Sequence, residues 1–298
     1  MQSPEPTIAA AVEDCRKLLA DRSQTPWLDA RLLTSHVTGL DASAVIAYGD
    51  SILRHDLRRK LYDLVERRAS GEPVAHLVGC KEFYGLRLRV DADVLVPRPE
   101  TECLVAAVID DWRTQAPRVL DLGTGSGAIA CALAHSLPNA RVLATDVSIA
   151  ALSVARRNVE ALGLCDRVTL EAGDLFSAVP PGSTFDAIVA NLPYVGDDDA
   201  HALDDGVRAY EPHVALFAGG DGLDIYRRMF GDAPRRVRPG GALYCECGPF
   251  NARSLVSIAR SAFPQAAVAL HTDYAGLERI VAVRLPQAGS SDVEGRPL

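Results

Sequence analysis

Asn191-Leu192-Pro193-Tyr194 follow the apolar run Phe185-Asp186-Ala187-Ile188-Val189-Ala190, which reads as a buried strand. A side-chain amide, a proline and an aromatic ring at the carboxyl end of such a strand suit one chemical task. They can grip a flat, NH-bearing group and strip it of water. The Asn191 side-chain oxygen and a neighbouring backbone carbonyl are fixed acceptors. Two acceptors on one nitrogen take both its hydrogens and aim its lone pair. The competing reading is a plain loop, since Asn-x-Pro turns many chains.

A second set lies upstream. Val119-Leu120-Asp121-Leu122 runs into Gly123-Thr124-Gly125-Ser126-Gly127, and Ala128 to Ala134 then reads as a helix. Glycines there let backbone amides approach a ligand closely at a helix amino end. Asp146 ends the next strand, about twenty residues on, where a carboxylate accepts ribose hydroxyls. Asp174 and Leu175, in Gly173-Asp174-Leu175-Phe176, follow the strand after that. Asp174 can accept from an adenine amino group and Leu175 can pack on the ring face. Each acid could instead cap the next helix; both doing so beside an idle glycine turn, at consecutive strand ends, would be a poor coincidence. No P-loop is present, and no Lys or Arg follows the glycines to pair with phosphates. A neutral-to-acidic turn suits the cationic sulfonium nucleoside S-adenosyl-L-methionine better than a pyrophosphate.

These residues need a sheet whose strand ends share one edge. From Arg118 onward the β-rich runs are 118–122, 140–145, 167–171, 185–190, 242–246, 267–271 and 279–283, with helical patterns at 149–162 and 223–236 among them. That alternation predicts an α/β fold: a mostly parallel, Rossmann-like sheet with helices on both faces. Such sheets bind ligands beyond the carboxyl ends of their strands, where Gly123, Asp146, Asp174 and Asn191 all map. Upstream, Ile8, Ala11, Val12, Cys15, Leu18 and Leu19 recur at helical spacing. Thr25-Pro26 opens a second helix, and Leu57, Leu61, Leu64 and Val65 mark a third. Lys81 to Val90 alternates after a Gly turn as a β-hairpin would. Val96-Pro97-Arg98-Pro99-Glu100-Thr101-Glu102 reads as a stiff connector. The expected domains are a helical bundle at 1–79, a hairpin linker at 80–97, a catalytic domain at 98–286 and a disordered polar tail at 287–298.

A net charge of −8 argues against non-specific nucleic-acid binding, which needs Lys and Arg against phosphates. Arg58-Arg59-Lys60 and Arg67-Arg68 read as a solvated helix face. No run reaches the length of a membrane span, and Met1 to Ala20 lacks a signal-peptide layout. A cytoplasmic monomer is the expectation. The seven cysteines are scattered, without C-x-x-C or zinc-ligand spacing, and read as reduced and structural.

Phe83-Tyr84-Gly85, the 96–102 connector, Asp121 to Gly127, and the segment Glu211-Pro212-His213…Gly219-Gly220-Asp221-Gly222 together resemble the release-factor glutamine N5-methyltransferases, the PrmC/HemK family. The resemblance runs over nearly the whole chain, and the connector and the Glu-Pro…Gly-Gly-Asp-Gly segment are its most specific parts. It implies a helical substrate-recognition domain, a hairpin and a seven-stranded class I methyltransferase domain. It implies methyl transfer from S-adenosylmethionine to the side-chain amide of the Gln in the Gly-Gly-Gln motif of peptide chain release factors. By matching motif, Gly123 to Gly127, Asp146 and Leu175 take the cofactor, and Asn191 to Tyr194 hold the substrate amide. The family typically carries Asn-Pro-Pro-Tyr, whereas Leu192 stands second here. Leucine supplies the same carbonyl, and Pro193 still pushes it to extended geometry. Asn-Leu-Pro-Tyr is also similar to ribosomal RNA adenine N6-dimethyltransferases. An adenine N6-methyltransferase, a small-molecule amide or amine methyltransferase, and a non-catalytic relative therefore stay open. Phe83 and Tyr84 fit a substrate mouth or core packing equally; Glu211 reads as a local cap or pair and His213 as packing.

Overall fold

A computed structural model describes residues 5–287; all of the expected tail except Gln287 lies outside them. In chain order the elements are α1 (Ile8–Leu19), α2 (Pro26–Thr38), α3 (Ala42–Ala47), α4 (His55–Ala69), α5 (Val74–Val78), β1 (Cys80–Phe83) and β2 (Leu86–Arg89). Then follow α6 (Thr101–Trp112), β3 (Arg118–Leu122), α7 (Ala128–Ser136), β4 (Arg141–Asp146), α8 (Ile149–Ala161), β5 (Val168–Ala172) and β6 (Phe185–Ala190). The chain ends with α9 (Asp205–Tyr210), α10 (Asp224–Asp232), β7 (Val237–Glu246), α11 (Ala252–Ala262), β8 (Ala267–Thr272) and β9 (Glu278–Arg284). Two compact units result: residues 5–80 with Leu203–Glu211, and Lys81–Ala202 with residues 212–287.

The smaller unit is a helical bundle. Thr7 caps α1 by accepting from the Ala10 amide, and Pro26 opens α2, which closes at Gly39 in the left-handed region. Ile8, Ala11, Cys15 and Leu19 meet Leu33, Leu61 and Val65 in its core. The basic run on α4 is not simply solvated. Arg68 turns onto the buried Asp29 carboxylate at 2.7 Å, which also takes the Ser23 and Thr25 hydroxyls. Leu203–Glu211 joins this unit although the contiguous domains read from sequence put it in the catalytic part. Gly206 sits so close to Gly71 that a Cβ would lie 2.3 Å from the Gly71 carbonyl oxygen. Only backbone-on-backbone contact allows that approach.

In the larger unit Tyr84 (φ 50°) and Gly85 (φ 74°) form the two-residue turn of the hairpin β1–β2; both central residues are left-handed, as the right-handed twist of a hairpin demands. Glu102 Oε1 accepts from the Tyr84 amide at 2.9 Å and anchors that turn. Thr101 and Glu102 belong to α6 and not to an extended connector: the prolines stop at residue 99, and nothing after it opposes helix. Phe83 is buried in the core and Tyr84 packs against it, so the packing reading holds for Phe83.

Seven strands run in the order β5-β4-β3-β6-β7-β9-β8. β5, β4, β3, β6 and β7 are parallel; β9 and β8 are antiparallel additions. The order reverses between β3 and β6, the position where open sheets of this type leave a ligand crevice. Apolar cores cover both faces, one built on Val119, Val142 and Val189, the other on Leu120, Ile188 and Leu243. Neighbouring strand residues thus face opposite cores, which is why these strands read as continuous apolar runs. Cys245 and Cys247 share one buried face, and the seven cysteines form no disulfide.

Candidate active site

The glycine turn is set by the strand beside it. The amides of Gly123 and Thr124 both donate to the Thr145 carbonyl, at 2.9 and 3.0 Å. Gly123, Gly125 and Gly127 all have positive φ (70°, 55° and 79°), which side-chain-bearing residues rarely adopt. At Gly125 a Cβ would meet nothing within 4 Å, so the turn borders open space. Gly123 is the reverse: its Cβ would lie 2.8 Å from Leu192 Cδ2. The glycine turn and the Asn-Leu-Pro-Tyr segment are therefore in direct contact, and the leucine at 192 fills that contact.

Asp146 braces the turn. Its two oxygens accept from the Gly125 and Ser148 amides, each at 2.8 Å. Burial raises its pKa, and the Ser148, Gly125 and Val147 amides pull the other way. Each oxygen keeps a lone pair for a hydroxyl donor. Deeper in, Asp121 is fully buried and accepts the Thr124 hydroxyl at 2.6 Å. Desolvation pushes its pKa up to about 7, and its other oxygen has no hydrogen-bond partner among the described residues.

Beyond β5, Leu175 holds φ 50° and its carbonyl accepts the Thr145 hydroxyl at 3.3 Å. A left-handed leucine is strained, of order 1–3 kcal/mol, and such strain gathers at ligand sites. Asp174, expected to accept from an adenine amino group, already has a side-chain partner. Its half-exposed carboxylate pairs with Arg228 beside a cavity of about 590 Å³ that Arg235 and Arg236 also line.

At β6 the amide segment is clamped from several directions. Asn191 Nδ2 donates to Thr101 Oγ1 at 3.1 Å. The Tyr226 hydroxyl, fully buried, accepts from the Leu192 amide at 3.2 Å and donates to the Glu246 carbonyl. Its one proton being spent there, the Leu192 carbonyl 3.4 Å away keeps its acceptor capacity. Asn251 Nδ2 donates to the Tyr194 carbonyl at 3.0 Å. The Tyr194 ring tilts at 56° against Phe250, centroids 6.4 Å apart. Behind the segment runs the Gly-Gly-Asp-Gly loop. A Cβ on Gly222 would lie 2.3 Å from the Tyr194 carbonyl oxygen, so only glycine fits. His213 packs edge-on to Phe217, and the Glu211 side chain is buried.

Glu246 was not among the sequence-predicted residues. It ends β7 with its side chain 2% exposed and its pKa pushed up to about 7 by desolvation. Its signal was an acid closing an otherwise apolar strand run. Thr101, Tyr226 and Asn251 carry no comparable mark. Val147, 59% exposed beside Asp146, offers apolar surface at the rim; an exposed valine between a strand and a helix cap was its only sign.

The residues present fit an adenosyl group: open space over Gly125, spare lone pairs on Asp146, apolar surface at Val147 and Leu175, and buried acid in place of basic side chains. Fold and site together define a class I S-adenosylmethionine-dependent methyltransferase. Comparison with known proteins narrows this. Residues 10–79 match the PrmC N-terminal domain and residues 119–213 a methyltransferase domain. The release factor glutamine methyltransferase of Rhodopirellula baltica is 42% identical over 88% of this chain and 90% of its own length. That of Burkholderia pseudomallei is 40% identical over 96% and 100%. The hMettl16 catalytic domain shares the fold alone, at TM-score 0.56 and 18% identity over 72% of this chain and 82% of that one. The chain belongs to the release factor glutamine methyltransferase family.

Proposed function

We propose that this enzyme methylates the side-chain amide nitrogen of the Gln in the Gly-Gly-Gln motif of peptide chain release factors, with Asn191 to Tyr194 as the amide-holding segment. One observation carries the reading. The Asn191 amide donates through Nδ2 to Thr101, and no described residue donates to Oδ1, so an acceptor is left for the substrate. A ribose- and adenine-binding half built on Gly123 to Gly127, Asp146 and Leu175 lies one leucine side chain away.

S-adenosylmethionine bound in that half supplies an electrophilic methyl group on a sulfonium. An amide nitrogen is a poor nucleophile because its lone pair is delocalised into the carbonyl. Asn191 Oδ1 and the Leu192 carbonyl each accept one of its hydrogens and fix its orientation. Positive charge that develops on the nitrogen then falls between two carbonyl dipoles already in place. Tyr194 covers the flat amide and excludes water. No dedicated base is required, since the N-methylated nitrogen is left with a far more acidic proton. Holding the reactant supplies much of the rest.

We take the enzyme to act as a cytoplasmic monomer on protein and not on nucleic acid. The net charge of −8 supports the last point. Among the described residues no helix is long and apolar enough to cross a membrane. Two fixed acceptors would also suit an adenine amino group, so the test includes RNA. The protein is incubated with methyl-labelled S-adenosylmethionine and, separately, a release factor, the same factor with Gln replaced in Gly-Gly-Gln, and ribosomal RNA. Label is expected on the first alone; label on RNA, or equal label on both factors, contradicts the reading.

A further inference from the structure

The Asn191 side-chain amide has two orientations, and only one presents oxygen to the substrate. A free asparagine would sample both. Its Nδ2 end points at Thr101 Oγ1, 3.1 Å away. Thr101 is itself buried at the first turn of α6. Having accepted from Asn191, its hydroxyl has one proton left to donate. The Glu246 carboxyl beside it receives hydrogen-bonding influence from both Thr101 and Asn191. Its Oε2 has no partner among the described residues. A nearly fully buried acid with one oxygen unmatched is a costly thing to keep, and the fold has no structural need for it, since β7 would pair equally well with an apolar residue there.

We infer that Glu246 and Thr101 are positioning residues that lock the Asn191 side-chain amide with its nitrogen inward and its oxygen toward the substrate. The inference rests on the amide-holding role given to Asn191 above. The physical reason is sign. A carboxylate and a hydroxyl that has turned its proton to that carboxylate both face Asn191 as acceptors. Turned round, Asn191 would set Oδ1 against two oxygens. The Glu246 backbone joins the same device, because its carbonyl takes the Tyr226 proton and thereby holds Leu192. One strand end thus fixes both acceptors of the substrate nitrogen.

The lock depends on Glu246 being ionised. Arg279 on β9 favours the charged form and Glu100 opposes it; Cys103, Cys247, Tyr194 and Tyr226 also face it. Protonated, it can donate to Oδ1 and hold the wrong orientation equally well. Desolvation puts that change at about pH 7, so the lock tightens as pH rises through neutrality.

Glu246→Gln tests this at nearly constant shape. Its amide can accept from Asn191 or donate to it, so the lock is lost. The expected result is a fall in kcat of about tenfold, the order of one charge-assisted hydrogen bond, with S-adenosylmethionine affinity unchanged and the rise of kcat near pH 7 gone. In an Asn191→Ala background the same change is expected to do nothing further. Independently of turnover, the Asn191 side-chain NH2 resonances of the free wild-type protein are expected to titrate near pH 7 and to stop doing so in Glu246→Gln. Should that variant not fold, Thr101→Val is expected to lower kcat while Thr101→Ser retains it. Wild-type kcat and pH profile in Glu246→Gln, or an undiminished effect in the Asn191→Ala background, would overturn the inference. Absence of methylation by the wild type would instead sink the functional reading, while the resonance titration would still report on the lock.

Discussion

The two halves of the proposed site are built by opposite means. The cofactor half is local and open. Its turn, Gly123 to Gly127, is tied to the adjacent strand by backbone bonds, and Gly125 faces free space. The amide half is dispersed and closed. Asn191 is set by Thr101, 90 positions earlier, Leu192 by Tyr226, 34 positions later, and Tyr194 by Asn251, 57 positions later. A ligand gripped by backbone amides needs only that side chains be missing, which adjacent glycines achieve. A ligand gripped by one side-chain oxygen needs that oxygen immobilised, and the groups that do so must arrive from elsewhere in the fold.

Asn191→Ala separates the halves most sharply. Losing one preorganised acceptor is expected to lower kcat by roughly 10²–10³, while calorimetry finds S-adenosylmethionine binding intact. A parallel loss of cofactor affinity would mean that the halves are not distinct. Each half also buries one acid, Asp121 and Glu246, with pKa values pushed up to about 7 from ordinary values of 3.8 and 4.5. Folded values above unfolded ones mean that the folded protein holds the extra protons. Their contribution to stability therefore falls as pH rises from about 4 to about 7. Asp121→Asn is expected to remove its share of that fall, roughly 3–4 kcal/mol, in urea titrations at either end of the window. A wild-type stability that is flat across it would contradict the assignment.

How much of this the chain discloses beforehand follows the same division. Gly123 to Gly127 and Asp146 were legible as candidates because they close strands whose apolar runs announce them, and Leu175 because it stands in the Gly-Asp-Leu-Phe segment after β5. Asn191 to Tyr194 were legible for the same reason. Thr101 was not: it stood in a proline-stiffened connector, and its role exists only because α6 starts there within hydrogen-bond reach of Asn191. Tyr226 looked like any apolar-face residue of α10, which it also is. The excursion of Leu203–Glu211 into the helical unit was invisible because close glycine–glycine approach leaves no periodic pattern.

Gly123→Ala probes the contact between the halves at Leu192. It must strain a φ of 70° and press a methyl 2.8 Å from Leu192. We expect both cofactor affinity and kcat to fall, with a stability loss of about 2–3 kcal/mol; Leu192→Ala in the same chain should recover part of it. No recovery would show that the contact does not couple the two. Asp174→Ala should do least. Its exposed pair with Arg228 is worth under about 1 kcal/mol, and with the carboxylate engaged by Arg228 we expect cofactor affinity to stay close to wild type. A large loss would restore the adenine contact first read from sequence.

The most direct measurement is a crystal structure of the enzyme with S-adenosylhomocysteine and a release factor. The Gln side-chain nitrogen should lie about 2.7–3.2 Å from both Asn191 Oδ1 and the Leu192 carbonyl. A Gln nitrogen held by other groups, or an Asn191 turned with Nδ2 toward it, would contradict the account.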